Sequence, residues 1–327
     1  MPVRGPIIAA AAAALAAGAA IANDSTALKV AGGLVLTRTN AIDMVSEDLY
    51  ISPERVHVAY VFRNRTRTPV RTIVAFPMPD RDLAELRESD TSYPHGFQTL
   101  VDGRPVTMRV ERRAMLGGVD HTALLAGLGI PVGDDPEDGR LTPALTRLRP
   151  ADRARLVGLG LAEQIGRRIE PSWTVKETYY WDQVFPAGRA LNVTHSYVPG
   201  VGGIAGVSLA SIPYRNSPDG RREQAAYCVD RAFLAGLDRM IGREGGEREA
   251  LVSEQRLGYI LTTGGNWRAP IGSFRLVVDK LRPDAIVSFC GRGVRRISPT
   301  RFEIRRRNWR PDRDLAILIV SSSRGAQ

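Results

Sequence analysis

Cysteine, histidine and lysine are all scarce: two cysteines, four histidines, and lysine only at Lys29, Lys176 and Lys280 among 327 residues. Neither cysteine lies in a C-x-x-C pair, so the thiol chemistry of redox motifs and ribbon-type zinc sites has no footing. His57, His95, His121 and His195 are spread out with no H-x-x-x-H or H-E-x-x-H pattern, so no metal and no cofactor is expected. There is no G-x-x-x-x-G-K-[ST] loop and no G-x-S-x-G elbow, which removes P-loop and nucleophile-elbow chemistry. The stretch Gly200-Val201-Gly202-Gly203-Ile204-Ala205 matches G-x-G-x-x-[GA] in form only. Pro199 precedes it and Pro213 breaks the segment after it, so the helix N-terminus that would receive a pyrophosphate is lacking. Long apolar runs are also absent after the first 22 residues, and no transmembrane segment is expected there.

The one apolar run lies at the start. Arg4 precedes Ile7–Ile21, which closes in Ala20-Ile21-Ala22 ahead of polar Asn23-Asp24, the order of a secretory signal peptide with cleavage after Ala22. A periplasmic, exported protein is the expectation. With 43% hydrophobic and 24% charged residues the remainder is globular. The net charge of +10 comes almost wholly from arginine. It favours an anionic envelope ligand or a periplasmic protein partner; export carries the chain away from nucleic acid, so none is expected. In an oxidising compartment the even cysteine count points to a Cys228–Cys290 disulfide, and closing a loop of roughly sixty residues is worth about 4 kcal/mol.

Alternating patterns dominate the first hundred residues. Val56, Val58, Tyr60 and Phe62 alternate with Arg55, His57 and Arg63, a half-buried strand. Val70–Phe76 comes after a polar turn, and Asp102-Gly103 marks a hairpin between 99–101 and 106–108. Helical spacing then appears over 122–128, 142–148 and 151–165, with Thr142-Pro143 as a cap and first-turn pair, and with Asp120 or Thr122, or His121 beside them, placed to cap the first helix. Strand character returns over 172–184 and 190–198. Residues 230–241 and 247–255 read as helices. Strands are expected over 257–263, 274–279, 285–290, 302–306 and 315–320. The resulting fold class is mainly β (α+β). A signal peptide (1–22) leads into a β-sandwich built from 23–118 plus 170–215, interrupted by a small helical insertion (119–169). A smaller disulfide-stapled α+β unit (216–327) completes the chain.

Two constellations could carry binding. In Ser172–Phe185, a strand would place Trp173, Glu177, Tyr179 and Trp181 on one face, either as a stacking platform for a ligand or as a cross-strand aromatic ladder in the core. Arg305, Arg306, Arg307 and Trp309 form the sharpest basic feature, either an anion site or a charged edge that blocks aggregation. His195 shares a face with Leu191, Val193 and Tyr197 and reads as a core residue.

Several stretches, taken together, resemble one family: NDSTALKVAGGLVLTRT, SEDLYISPERVHVAYVFRN, VAFPMPD, WTVKETYYWDQVFPAG, YVPGVGG, YCVD, PIGSFRLVVDK and VSFCG. Their combination, from about Asn23 to Val320, is similar to the bacterial family called domain of unknown function 4424. The resemblance implies an exported, mostly β envelope protein with no assigned activity and no catalytic residues to carry over. Its Y-C-x-D and S-F-C patterns fall on Cys228 and Cys290. The run from 55–63 to Phe76-Pro77-Met78-Pro79 also resembles vault/inter-alpha-trypsin β-sandwich domains, which speaks to fold alone.

The leading functional expectation is a non-catalytic binding or interaction protein of the cell envelope. The alternative is a carboxylate-based hydrolase of the envelope, with glycan as its substrate, using carboxylates such as Glu177 and Asp182. A third reading is an assembly factor that offers an edge strand.

Overall fold

The computed structural model describes residues 23–30, 33–86, 94–133, 139–243 and 252–322. The expected leader at 1–22 lies outside the described residues. The alternation around Tyr60 becomes the strand Arg55–Asn64, with Val56, Val58, Tyr60 and Phe62 buried and the residues between them facing outward. It pairs with Ile42–Ser52 on one side and Ala190–Val198 on the other. These three form the middle of an eight-stranded sheet. Ile271–Asp279, Arg301–Trp309 and Arg295–Arg296 extend one side, and His95–Val101 and Arg104–Pro105 the other. The expected hairpin is present: Asp102 and Gly103 both take positive φ, at 47° and 77°, as a two-residue turn between twisted strands demands.

A seven-stranded sheet runs Val119–Asp120, Arg109–Leu116, Thr174–Phe185, Val70–Pro77, Ser25–Val30, Gly33–Thr37, with Arg81–Asp82 also on Thr174–Phe185. A four-stranded sheet runs Gly202–Ala205, Val252–Tyr259, Leu315–Ser322, Ile286–Phe289. One apolar cluster joins all three. Leu49, Tyr60 and Phe62 come from the eight-stranded sheet, Phe76, Trp181 and Phe185 from the seven-stranded one, and Tyr259, Ile317 and Ile319 from the four-stranded one. The chain is therefore mainly β, as its alternation implied.

The boundary drawn at residue 216 does not divide the sheets. Helices Pro218–Tyr227 and Arg231–Arg243 come next, and Phe233 and Leu237 pack with Val252, Leu318 and Val320 of the four-stranded sheet. The Cys228–Cys290 disulfide (Cα–Cα 5.0 Å) ties the end of the first of these helices to the residue after Ile286–Phe289. Ile271–Asp279 and Arg301–Trp309 instead enter the eight-stranded sheet, the former lying parallel to Ile42–Ser52. Phe274, Leu276, Val278 and Ile304 consequently share the main core with Leu49. A strand's apolar alternation demands a buried face but does not name the partner that supplies it.

Local corrections have local causes. The helix expected over 151–165 is Pro150–Gly158, ended near Gly160 at φ 73°, and 162–165 becomes half of the hairpin Ala162–Ile165/Arg168–Pro171. Of the expected caps, Asp120 Oδ1 accepts the Thr122 amide at 2.9 Å, while His121 forms no side-chain cap. Within the expected helix 247–255, residues 252–255 belong to strand Val252–Tyr259, and the part before 252 lies outside the described residues. Helices Ile212–Asn216 and Pro218–Tyr227 are not anticipated by the apolar periodicity, although Ser211 and Ser217 cap them ahead of Pro213 and Pro218. Among the described residues no helix is long and apolar enough to cross a membrane.

Candidate functional site

The aromatic face of Thr174–Phe185 is interior. Trp173 is wholly buried within the core of the helical insertion, where Leu125, Leu145 and Leu156 surround it and its Nε1 donates to Val132 O at 2.6 Å. Trp181 is buried in the main core with its Nε1 on Gln183 Oε1 at 2.9 Å, and Tyr179 stacks on Phe97 at 4.2 Å. Glu177 is buried between Arg112 and Arg81. These four side chains thus form no exposed platform: the face that stacks rings also closes the core. Asp182 points the other way, exposed and paired with Arg109 at 2.6 Å. Glu177 and Asp182, five residues apart on a strand, lie on opposite faces and cannot share a water, so this pair cannot act as the two carboxylates of a hydrolase.

The basic strand is exposed but internally engaged. Arg305 pairs with Glu303 at 2.9 Å, Arg306 donates to the Arg292 carbonyl, and Trp309 packs its ring on Phe274 at 4.5 Å. Arg307 is exposed on the same strand. The register of Arg301–Trp309 on its neighbour places Glu303 beside Val277, so the strand carries its own counter-charge.

His195 is buried in the core, as its face implied, with Nδ1 on Thr99 Oγ1 at 2.8 Å and Nε2 on Asp24 Oδ1 at 3.1 Å. A hydroxyl, an imidazole and a carboxylate in that order have the connectivity of a nucleophile, base and orienting group. All three are sealed from solvent, so no substrate can reach the hydroxyl. Among the described residues no group of three or more His, Cys, Asp or Glu could hold a metal ion.

Sequence patterns missed an open groove of about 560 Å³ on the outer face of the eight-stranded sheet. Its floor is built by cross-strand register: Tyr50 opposes His57, Asp48 opposes Ala59, Ser52 opposes Arg55, and Arg275 lies beside Asp48 on the parallel neighbour. Arg301 closes one wall from the next strand. Tyr50 OH donates to Asp279 Oδ2 at 3.1 Å, and Arg301 Nε reaches the same oxygen at 2.7 Å. Burial pushes the Asp279 carboxyl up, but the Arg301 bond and the Leu281 amide outweigh it and hold the group ionised below its usual range. Arg275 is shared between Glu303 at 2.8 Å and Asp48 at 3.1 Å. Arg55 differs. Its Nε donates to Ser196 Oγ at 3.2 Å, and no carboxylate pairs with it among the described residues. Beside it, His57 keeps a buried Nδ1 with no hydrogen-bond partner. Burial first, and then the Arg55 charge, lower the His57 pKa, so the ring is neutral at neutral pH. The only sign of this groove in the sequence was the outward placement of Arg55 and His57 on one strand.

A search of curated proteins finds no match. Among solved structures, a protein named as a nutrient-binding candidate from Legionella pneumophila aligns at 14% identity and a TM-score of 0.47, covering 92% of this chain and 70% of that one. An M1 zinc metallopeptidase from Deinococcus radiodurans aligns at 10% identity and a TM-score of 0.27, over 86% of this chain and 43% of that one. The family model described as Domain of unknown function (DUF4424) matches residues 22–318, nearly the whole length, and the chain belongs to that family.

Proposed function

We propose that this is an exported envelope protein that binds rather than transforms its ligand, and that it holds the anionic group of a small polar molecule in the groove at Arg55. The observation that carries the reading is the contrast among the groove's arginines. Arg275 and Arg301 are each paired with carboxylates, whereas none pairs with Arg55 among the described residues. A carboxylate or phosphate would take two parallel bonds from the Arg55 guanidinium. The Tyr50 ring offers the ligand an apolar wall. A volume of about 560 Å³ suits a metabolite-sized molecule.

The Ala20-Ile21-Ala22 pattern supports export, and the disulfide is at home in an oxidising compartment. Native mass spectrometry of the chain recovered from the periplasm of its own host tests the assignment. A reproducible small adduct is expected, and Arg55→Ala should weaken its retention by about 10- to 100-fold, the worth of hydrogen bonds to a charged group. Arg306→Ala should leave it unchanged. A bare chain in both wild type and variant, or an adduct indifferent to Arg55→Ala, would overturn the reading.

A further inference from the structure

Asn23 and Asp24 are wholly buried just ahead of strand Ser25–Val30. Asn23 Nδ2 donates to Glu47 Oε2 at 3.1 Å, and its Oδ1 accepts from Tyr60 OH at 2.5 Å. Tyr60 OH meets Tyr259 OH at 3.0 Å, and Trp267 Nε1 donates to the Asp24 carbonyl at 2.7 Å. Asp24 Oδ1 takes the His195 ring. Two carboxylate oxygens in this sealed cluster, Asp24 Oδ2 and Glu47 Oε1, have no partner. The cluster therefore holds two acids, one imidazole and otherwise neutral groups. It is short of donors, and buried acceptor oxygens left without one are costly in a core.

We propose that cleavage after Ala22 supplies the missing donors: the new α-ammonium of Asn23 lies against Glu47 and Asp24 and completes the polar network of the core. The proposal rests on the export reading above. Hydrolysis of the Ala22–Asn23 amide by a leader-removing peptidase adds one water, leaving a carboxylate on Ala22 and an ammonium on Asn23. Before cleavage the same nitrogen is a neutral amide with a single N–H. Afterwards it has three donors and, with an ordinary pKa near 8, a positive charge at neutral pH. Two acceptor oxygens stand open in the cluster that already anchors the Asn23 side chain. The α-ammonium then offers donors to the two unpartnered oxygens of Asp24 and Glu47. The processed chain is accordingly more stable than the leader-bearing one, which suits a chain that must cross a membrane before it folds.

The test starts from the full-length gene, expressed in an exporting bacterium, with the periplasmic product identified by intact mass. The α-amine is then acylated under native and denaturing conditions, with exposed Lys29 as the internal reference. We expect a product that begins at Asn23 and an α-amine that reacts more than about tenfold slower in the native protein than in the denatured one, as a group reached only by opening the core must. Glu47→Gln should lower the denaturation midpoint of the processed chain but not that of one carrying an extra residue before Asn23. A product that begins elsewhere, or is retained in the cytoplasm, would sink the export reading and the inference with it. A product that begins at Asn23 but labels at the denatured rate would sink the inference and leave export standing.

Discussion

Glu47 has its carboxyl group sealed beside Asn23, Tyr60, Tyr259 and Asp24, and burial pushes its pKa from the ordinary 4.5 up to about 8. The Asp24 charge adds to that rise, and burial raises the Asp24 carboxyl as well. The consequence belongs to the chain in which Asn23 is still an amide. Below pH 4.5 folded and unfolded states both hold the proton, and stability is full. As pH climbs towards 8 the unfolded state releases the proton while the folded state keeps it, so stability falls across that window and levels off above it. Urea midpoints of the chain that keeps residues 1–22 and of its Glu47→Gln variant, measured from about pH 4 to 9, should diverge on this pattern; parallel profiles would refute it. His195, by contrast, could be placed from sequence alone. Its neighbours at two-residue spacing are apolar, and a strand carries such residues to one face.

At the scale of elements, strands were readable where one face is buried and the other wet. Thr174–Phe185 buries Val175, Glu177, Trp181, Gln183 and Phe185 in step with its pattern. The short helices Ile212–Asn216 and Pro218–Tyr227 escaped because neither has a continuous apolar stripe; their signals are the serine caps and the prolines at the first turn. Ser217 Oγ accepts the Gly220 amide at 3.0 Å. Gly220 itself lies against the Tyr214 carbonyl, where a Cβ would overlap the oxygen, so the two helices meet backbone to backbone. Ser217→Ala should cost about 1 kcal/mol in equilibrium denaturation, the usual worth of a helix cap. An unchanged midpoint would mean that packing alone holds this helix.

For the whole molecule, the disulfide ties helix Pro218–Tyr227 to the four-stranded sheet, and the main core ties that sheet to the other two. Replacing both cysteines with serine should lower stability by about 4 kcal/mol on the chain-entropy account, read as a lower denaturation midpoint with similar cooperativity. Loss of less than about 1 kcal/mol would show that the 62-residue loop is already held in the unfolded chain. By itself the sequence determined that the chain is mainly β, that Val56, Val58, Tyr60 and Phe62 form the buried face of their strand, and that Cys228 and Cys290 would staple the chain. Those properties arise from a two-residue period and from local turn and cap chemistry. Only the tertiary structure decided that Ile271–Asp279 lies parallel to Ile42–Ser52, that Trp173 and Trp181 fill different cores, and that Arg55, His57 and Arg275 line one groove. The period of a strand says which face must be covered, whereas the covering partner is chosen by contacts more than two hundred residues away, for which nothing local provides a signal.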